Sequence, residues 1–144
     1  MRSDMITEDL VSFEVAKLLK EKGFDEICRK FYKCWPTNPK LYCCDKSQMF
    51  DYCTNSSLSG FNYVGDEMNV AAPTHQMVMK WLREVYGIFI AINNDDLDFN
   101  WQCYDLINRG STLDPKILSE SYAGYKAYEE AVEAALKYCL EEMI

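Results

Sequence analysis

The chain has 144 residues, 49% apolar and 26% charged, which excludes wholesale disorder and fits one ordinary globular domain, 1–144. No apolar run reaches the ~18–20 residues that cross a bilayer. The opening residues, with Asp4, Glu8, Asp9 and Glu14, do not read as a secretory signal. The net charge of −8 disfavours generic attachment to nucleic-acid phosphates.

The charge is uneven. Nine Lys/Arg meet eight Asp/Glu in residues 1–50 (+1), whereas six meet fifteen in residues 51–144 (−9), so a small basic island survives around Arg29. Seven cysteines are an odd number for a disulfide framework, and free, mostly buried thiols in a reducing cytoplasm are expected.

In chain order, Ser12 can cap a first helix carrying Val15, Leu18 and Leu19 at helical spacing, with a second possible cap at Thr7. Gly23 stands where a left-handed C-terminal cap is wanted, and Phe24 can fold back on the last turn. Ile27 to Trp35 and Leu41 to Cys44 predict a hairpin around the turn at Pro36–Lys40. Residues 45–72 are rich in Ser, Asn, Gly and Asp with scattered aromatics and predict a long surface or binding loop.

A second helix, capped at Thr74 and ended by Gly87, places Met77, Val78, Trp81, Leu82, Val85 and Tyr86 on one stripe. Ile88 to Ile92 and Phe99 to Ile107 predict a second hairpin with Asp95, Asp96 and Asp98 at its tip. A C-terminal helix is expected from about Tyr122 to Met143, with Glu133 and Lys137 in the favoured i, i+4 order. The expected fold is therefore α+β, helix–hairpin–helix–hairpin–helix, with an antiparallel four-stranded sheet and the helices packed on one of its faces. Val15 to Glu21 and Val78 to Glu84 echo each other weakly, as two αββ units of a duplication would.

Three sequence regions together resemble a family of small proteins carried by prophages and other mobile elements of gut-type anaerobic bacteria. They are Val11 to Phe24, Ala72 to Ile90, and Tyr128 to Leu136. The resemblance covers most of the chain outside residues 45–70. It implies a cytoplasmic, phage-associated accessory protein and brings no mechanism with it.

Chemistry-bearing residues are sparse in recognisable patterns. Structural zinc sites use paired C-x-x-C knuckles, and the chain has none, so no metal and no cofactor are expected. His75, the single histidine, stands in the first turn of a helix with no nucleophile elbow nearby in sequence. The acidic tip lacks the glycine and distal glutamate of an EF-hand loop.

Arg29-Lys-Phe-Tyr-Lys-Cys-Trp35 interleaves cations with aromatics. On a strand, Arg29, Phe31, Lys33 and Trp35 would share a face fit for stacking and phosphate contact. Ten tyrosines are many for this length, and Tyr42, Tyr52 and Tyr63 fall where no helix needs them.

The reading is a non-catalytic protein of the cytoplasm that binds a macromolecular partner, most simply another protein. Its binding candidates are Arg29, Lys30, Lys33, Trp35, Tyr42, Tyr52 and Tyr63. The alternatives are a cysteine-dependent enzyme with His75 as base, or single-stranded nucleic-acid binding through Arg29–Trp35.

Overall fold

The computed structural model describes residues 6–34, 38–44, 51–59, 68–95, 97–106, 116–121 and 124–144. It is α+β, and its contacts divide it into two compact units, Leu10–Pro73 and Met1–Asp9 with Thr74–Ile144. Among the described residues no helix is long and apolar enough to cross a membrane.

The first unit contains α1 (Phe13–Glu21), β1 (Lys30–Cys34), β2 (Lys40–Cys43), α2 (Asn55–Ser59) and β3 (Met68–Ala71). The hydroxyl of Ser12 accepts from the Val15 N–H at 3.2 Å, and Gly23 takes φ +86° just beyond the helix. The N–H of Phe24 then donates to the Leu19 carbonyl at 2.9 Å, which turns its ring into the core. Val15, Ala16 and Leu19 form the buried stripe of α1. The helix packs on β3, and the Phe13 ring meets Tyr32 edge-on at 5.8 Å. Tyr32 also donates its hydroxyl to the Val11 carbonyl at 2.6 Å. The sheet is antiparallel in the order β2-β1-β3, so β2 is an edge strand.

The second unit contains α3 (His75–Tyr86), β4 (Ile88–Asp95), β5 (Asp98–Asp105), β6 (Lys116–Glu120) and α4 (Tyr128–Tyr138). Thr74 caps α3 through Oγ1, Gly87 ends it at φ +68°, and α4 runs on into a π-helical turn at Cys139–Met143. The antiparallel order is β4-β5-β6. Ile88, Ile90, Trp101 and Cys103 are buried on one side of this sheet, the side that alternates away from Phe89, Gln102 and Tyr104.

Several expectations change. The two hairpins form where the residues predict, but they build two separate three-stranded sheets instead of one four-stranded sheet, because each recruits a further strand, β3 or β6. The supposed loop of residues 45–72 contains α2 and β3, elements of five and four residues that are too short to show a period. Val85, expected on the apolar stripe of α3, is 55% exposed. The last helix begins at Tyr128 rather than near Tyr122, because Tyr125 and Phe99 exchange backbone hydrogen bonds of 2.7 and 2.8 Å. Gly124 is required beside that bridge, since a Cβ there would stand 2.5 Å from the Asp98 Cβ.

Candidate functional site

The hairpin β1–β2 gathers the sequence-derived candidates, and its register decides which of them meet. Phe31 faces Tyr42 and Lys33 faces Lys40 across the two strands, so these four side chains share one face of the sheet. The rings of Phe31 and Tyr42 stack with centroids 5.7 Å apart and planes at 21°. Phe31 is buried, while Tyr42 is 39% exposed. Lys33 and Lys40 occupy the next row, and like charges placed directly opposite destabilise a sheet by about 0.2–1 kcal/mol relative to a neutral pair.

Lys30 lies on the other face, opposite Cys43, and its carbonyl accepts from the Ala72 N–H at 2.9 Å. Arg29 is exposed just ahead of β1. Tyr52 is exposed next to Cys53. Trp35 and Tyr63 lie outside the described residues. Lys40 was missed at the sequence level because it was placed in the turn, and only the cross-strand register brings it beside Lys33. From Arg29 to Cys44 the chain holds four cations (Arg29, Lys30, Lys33, Lys40) and no carboxylate, within a protein of net charge −8.

The backbone of β2 is open on its outer side. Cys44 donates to the Arg29 carbonyl at 2.8 Å, which makes that pair a hydrogen-bonded one. In antiparallel alternation the pairs Phe31–Tyr42 and Lys33–Lys40 are then hydrogen-bonded as well. The N–H and C=O groups of Leu41 and Cys43 therefore point away from β1. All four residues of β2 are exposed, Leu41 at 44%.

Of the seven thiols, Cys43 is exposed and Cys34 and Cys44 are partly so, while the other four are buried. Cys28 and Cys53 face each other in an isolated bridge with two 2.8 Å backbone bonds. Burial pushes the Cys28 thiol up to about 12, and burial together with the Cys44 thiol pushes Cys53 up as well. Cys103 and Cys139 lie buried with sulfurs 3.4 Å apart, and their mutual hydrogen bond, with burial, raises the Cys139 thiol. A thiol held protonated is a poor nucleophile at neutral pH.

His75 is 6% exposed, and its Nε2 lies 2.6 Å from Oε2 of Glu133, tying α3 to α4. No sequence signal linked these two residues, 58 positions apart. Among the described residues no three His, Cys, Asp or Glu side chains group as the ligands of an ion. Asp96 of the acidic tip lies outside them.

A cleft of about 260 Å³ in the first unit is lined by Lys20, Phe24, Asp25, Asn55 and Ser56. Its polar groups serve the fold. Asn55 donates to the Phe24 carbonyl at 2.7 Å and accepts from the Ala71 N–H at 2.9 Å. Asp25 accepts from the Ser56 hydroxyl and N–H, which hold its carboxyl below the usual carboxylate range. Lys20 donates to the Asn69 carbonyl at 3.2 Å.

Compared with protein-family models, curated proteins and solved structures, the chain matches none.

Proposed function

We propose that this chain is a non-catalytic accessory protein of the cytoplasm that binds a macromolecular partner, and that the β1–β2 hairpin makes the contact. The observation that carries the reading is the contrast within the hairpin. Its outer strand is exposed along its whole length, bearing Lys40, Leu41, Tyr42 and Cys43, while the Cys28 and Cys53 thiols outside the hairpin are buried and held protonated. A tyrosine ring standing in solvent, such as Tyr42, is among the residue types that anchor interfaces.

The partner is a protein, because an overall charge of −8 opposes a nucleic-acid backbone at long range. Its origin in a prophage or other mobile element, which the family resemblance implies, belongs to the same proposal.

The test is a double variant, Lys40→Glu with Tyr42→Ala. Both positions are exposed, so the melting temperature should stay within a few degrees of wild type. A partner that co-purifies with the wild-type chain at low salt should be lost by the variant. Equal recovery by both chains would remove the hairpin from the contact.

A further inference from the structure

We infer that Cys44 and Cys53 are an oxidation site, a dithiol that a hydroperoxide converts to a disulfide with Cys44 as the attacking sulfur. The pair works with or without a partner on the hairpin. Three thiols from three segments meet in the first unit: Cys28 ahead of β1, Cys44 just after β2, and Cys53 ahead of α2. Where a cell keeps thiols reduced, a disulfide is transient, and it senses or catalyses rather than serving as a framework.

Hydrogen bonds fix this meeting. The Cys44 N–H donates to the Arg29 carbonyl at 2.8 Å, and the Cys53 thiol donates to the Lys30 carbonyl at 3.6 Å. Two adjacent residues thus anchor Cys44 and Cys53, and the two thiols hydrogen-bond each other. Cys28 stands opposite Cys53 in the isolated bridge, but its sulfur turns away and donates to the Glu26 carbonyl at 3.5 Å. Cys44, and not Cys28, is the thiol poised for a bond to Cys53.

Exposure separates the two roles. Cys44 is partly exposed, whereas Cys53 is 1% exposed. The thiolate is the nucleophile, and burial opposes it at Cys53, so Cys44 is the sulfur that meets an oxidant from solvent. A solvent-reaching thiol beside a second thiol is the arrangement of a sensing and a resolving cysteine.

The chemistry balances with one hydrogen peroxide. The Cys44 thiolate attacks one peroxide oxygen, an S–O bond forms, and the O–O bond breaks. The departing hydroxide takes a proton from solvent and leaves Cys44 as a sulfenic acid. The Cys53 sulfur then attacks the Cys44 sulfur, forming the S–S bond and breaking the S–O bond. The hydroxyl leaves as water with the Cys53 proton. Together the two thiols lose two electrons, which the peroxide gains. Oxidation of Cys44 also removes a neighbour that helps to hold that proton on Cys53.

The test treats the full, reduced chain with hydrogen peroxide, then unfolds it and alkylates the thiols that remain. Five should alkylate, the seven less the bridged two, and peptide mapping should join Cys44 to Cys53. Dithiothreitol should restore all seven. Cys44→Ser, at a partly exposed position, should keep the fold and slow peroxide consumption about tenfold. Cys43→Ser should leave the bridge in place. Cys103 and Cys139, fully buried with sulfurs 3.4 Å apart, are an internal control and should stay reduced.

Seven alkylated thiols after peroxide would overturn the site. A bridge mapped to Cys28–Cys53 or to Cys103–Cys139 would overturn the pairing. Disulfides formed only between chains would place the oxidation at Cys43 and overturn it as well. Unchanged peroxide consumption in Cys44→Ser would remove Cys44 as the attacking sulfur.

Discussion

The two sheets are each built on one hairpin, yet they treat their solvent faces in opposite ways. On the second sheet, Asn93 donates to Gln102 at 3.0 Å, Gln102 donates to Glu120 at 3.2 Å, and Tyr104 donates to Gln102 at 2.6 Å. The face satisfies itself through two amides, a hydroxyl and the Glu120 carboxylate, and the Phe89 and Tyr104 rings lie 6.3 Å apart at its other end. On the first sheet the corresponding row sets Lys33 against Lys40 and leaves β2 exposed on both faces. The third strand also joins differently, beside β1 in one sheet and beside the second hairpin strand, β5, in the other. Hairpins of similar outline thus reach different ends, one a closed surface and one an open edge. The difference lies in which side chains the register sets opposite one another, amides in one sheet and two lysines in the other.

Substitutions can break or sharpen this contrast. The largest effect is expected in the cores. Leu19 in the first unit and Leu82 in the second are both fully buried, so Leu19→Ala and Leu82→Ala should each cost about 2–5 kcal/mol in urea unfolding. A cost below ~1 kcal/mol at Leu19 would mean that the first unit is too loosely packed to hold β2 as a defined edge.

Next is the His75–Glu133 bond, which ties α3 to α4 in the second unit. Glu133→Ala should cost about 1.5–3 kcal/mol, and Glu133→Gln, which keeps an acceptor, should cost less. Equal costs for the two would show that the carboxylate charge, rather than the hydrogen bond, does the tying.

The buried thiols give a pH signature. In the unfolded chain a thiol titrates near ~8.5, whereas Cys28 is pushed up to about 12 in the fold. The folded state then binds the extra proton between those values, so stability is full below ~8.5 and falls as pH rises toward 12. The fall should be about 1.4 kcal/mol per pH unit for each such thiol. Cys28→Ala should flatten the alkaline fall by about that slope, as followed by unfolding at a series of pH values. An unchanged slope would place the loss in Cys53 or Cys139, whose thiols are also raised.

The smallest effect sharpens the likeness of the two units rather than their difference. Ser12 and Thr74 cap α1 and α3 with the same bond, 3.2 Å from hydroxyl to the N–H three residues on. Ser12→Ala and Thr74→Ala should therefore each cost about 1 kcal/mol, measured as a shift in denaturation midpoint.

Local chemistry made much of this molecule legible in advance. A hydroxyl before an apolar stripe and a glycine after it mark where α1 and α3 begin and end, because capping is settled within a few residues. Alternating strand formers around turn residues likewise located both hairpins. The elements that escaped, α2, β3 and β6, are four or five residues long and draw their stability from neighbours rather than from a period of their own. Asn55 illustrates this: its amide bridges the Phe24 carbonyl and the Ala71 N–H, partners 31 and 16 residues away.

Taken alone, the order of residues determined the α+β class, the capped helices, the two hairpins and the cationic stretch at Arg29–Lys33, all properties of spacing and composition along a short window. Tertiary structure alone decided that the hairpins join separate sheets, that His75 meets Glu133, and that Lys40 stands opposite Lys33 on an open edge. Those outcomes depend on register and on which distant strand supplies the remaining hydrogen bonds, and such pairings leave no mark in the local pattern of the chain.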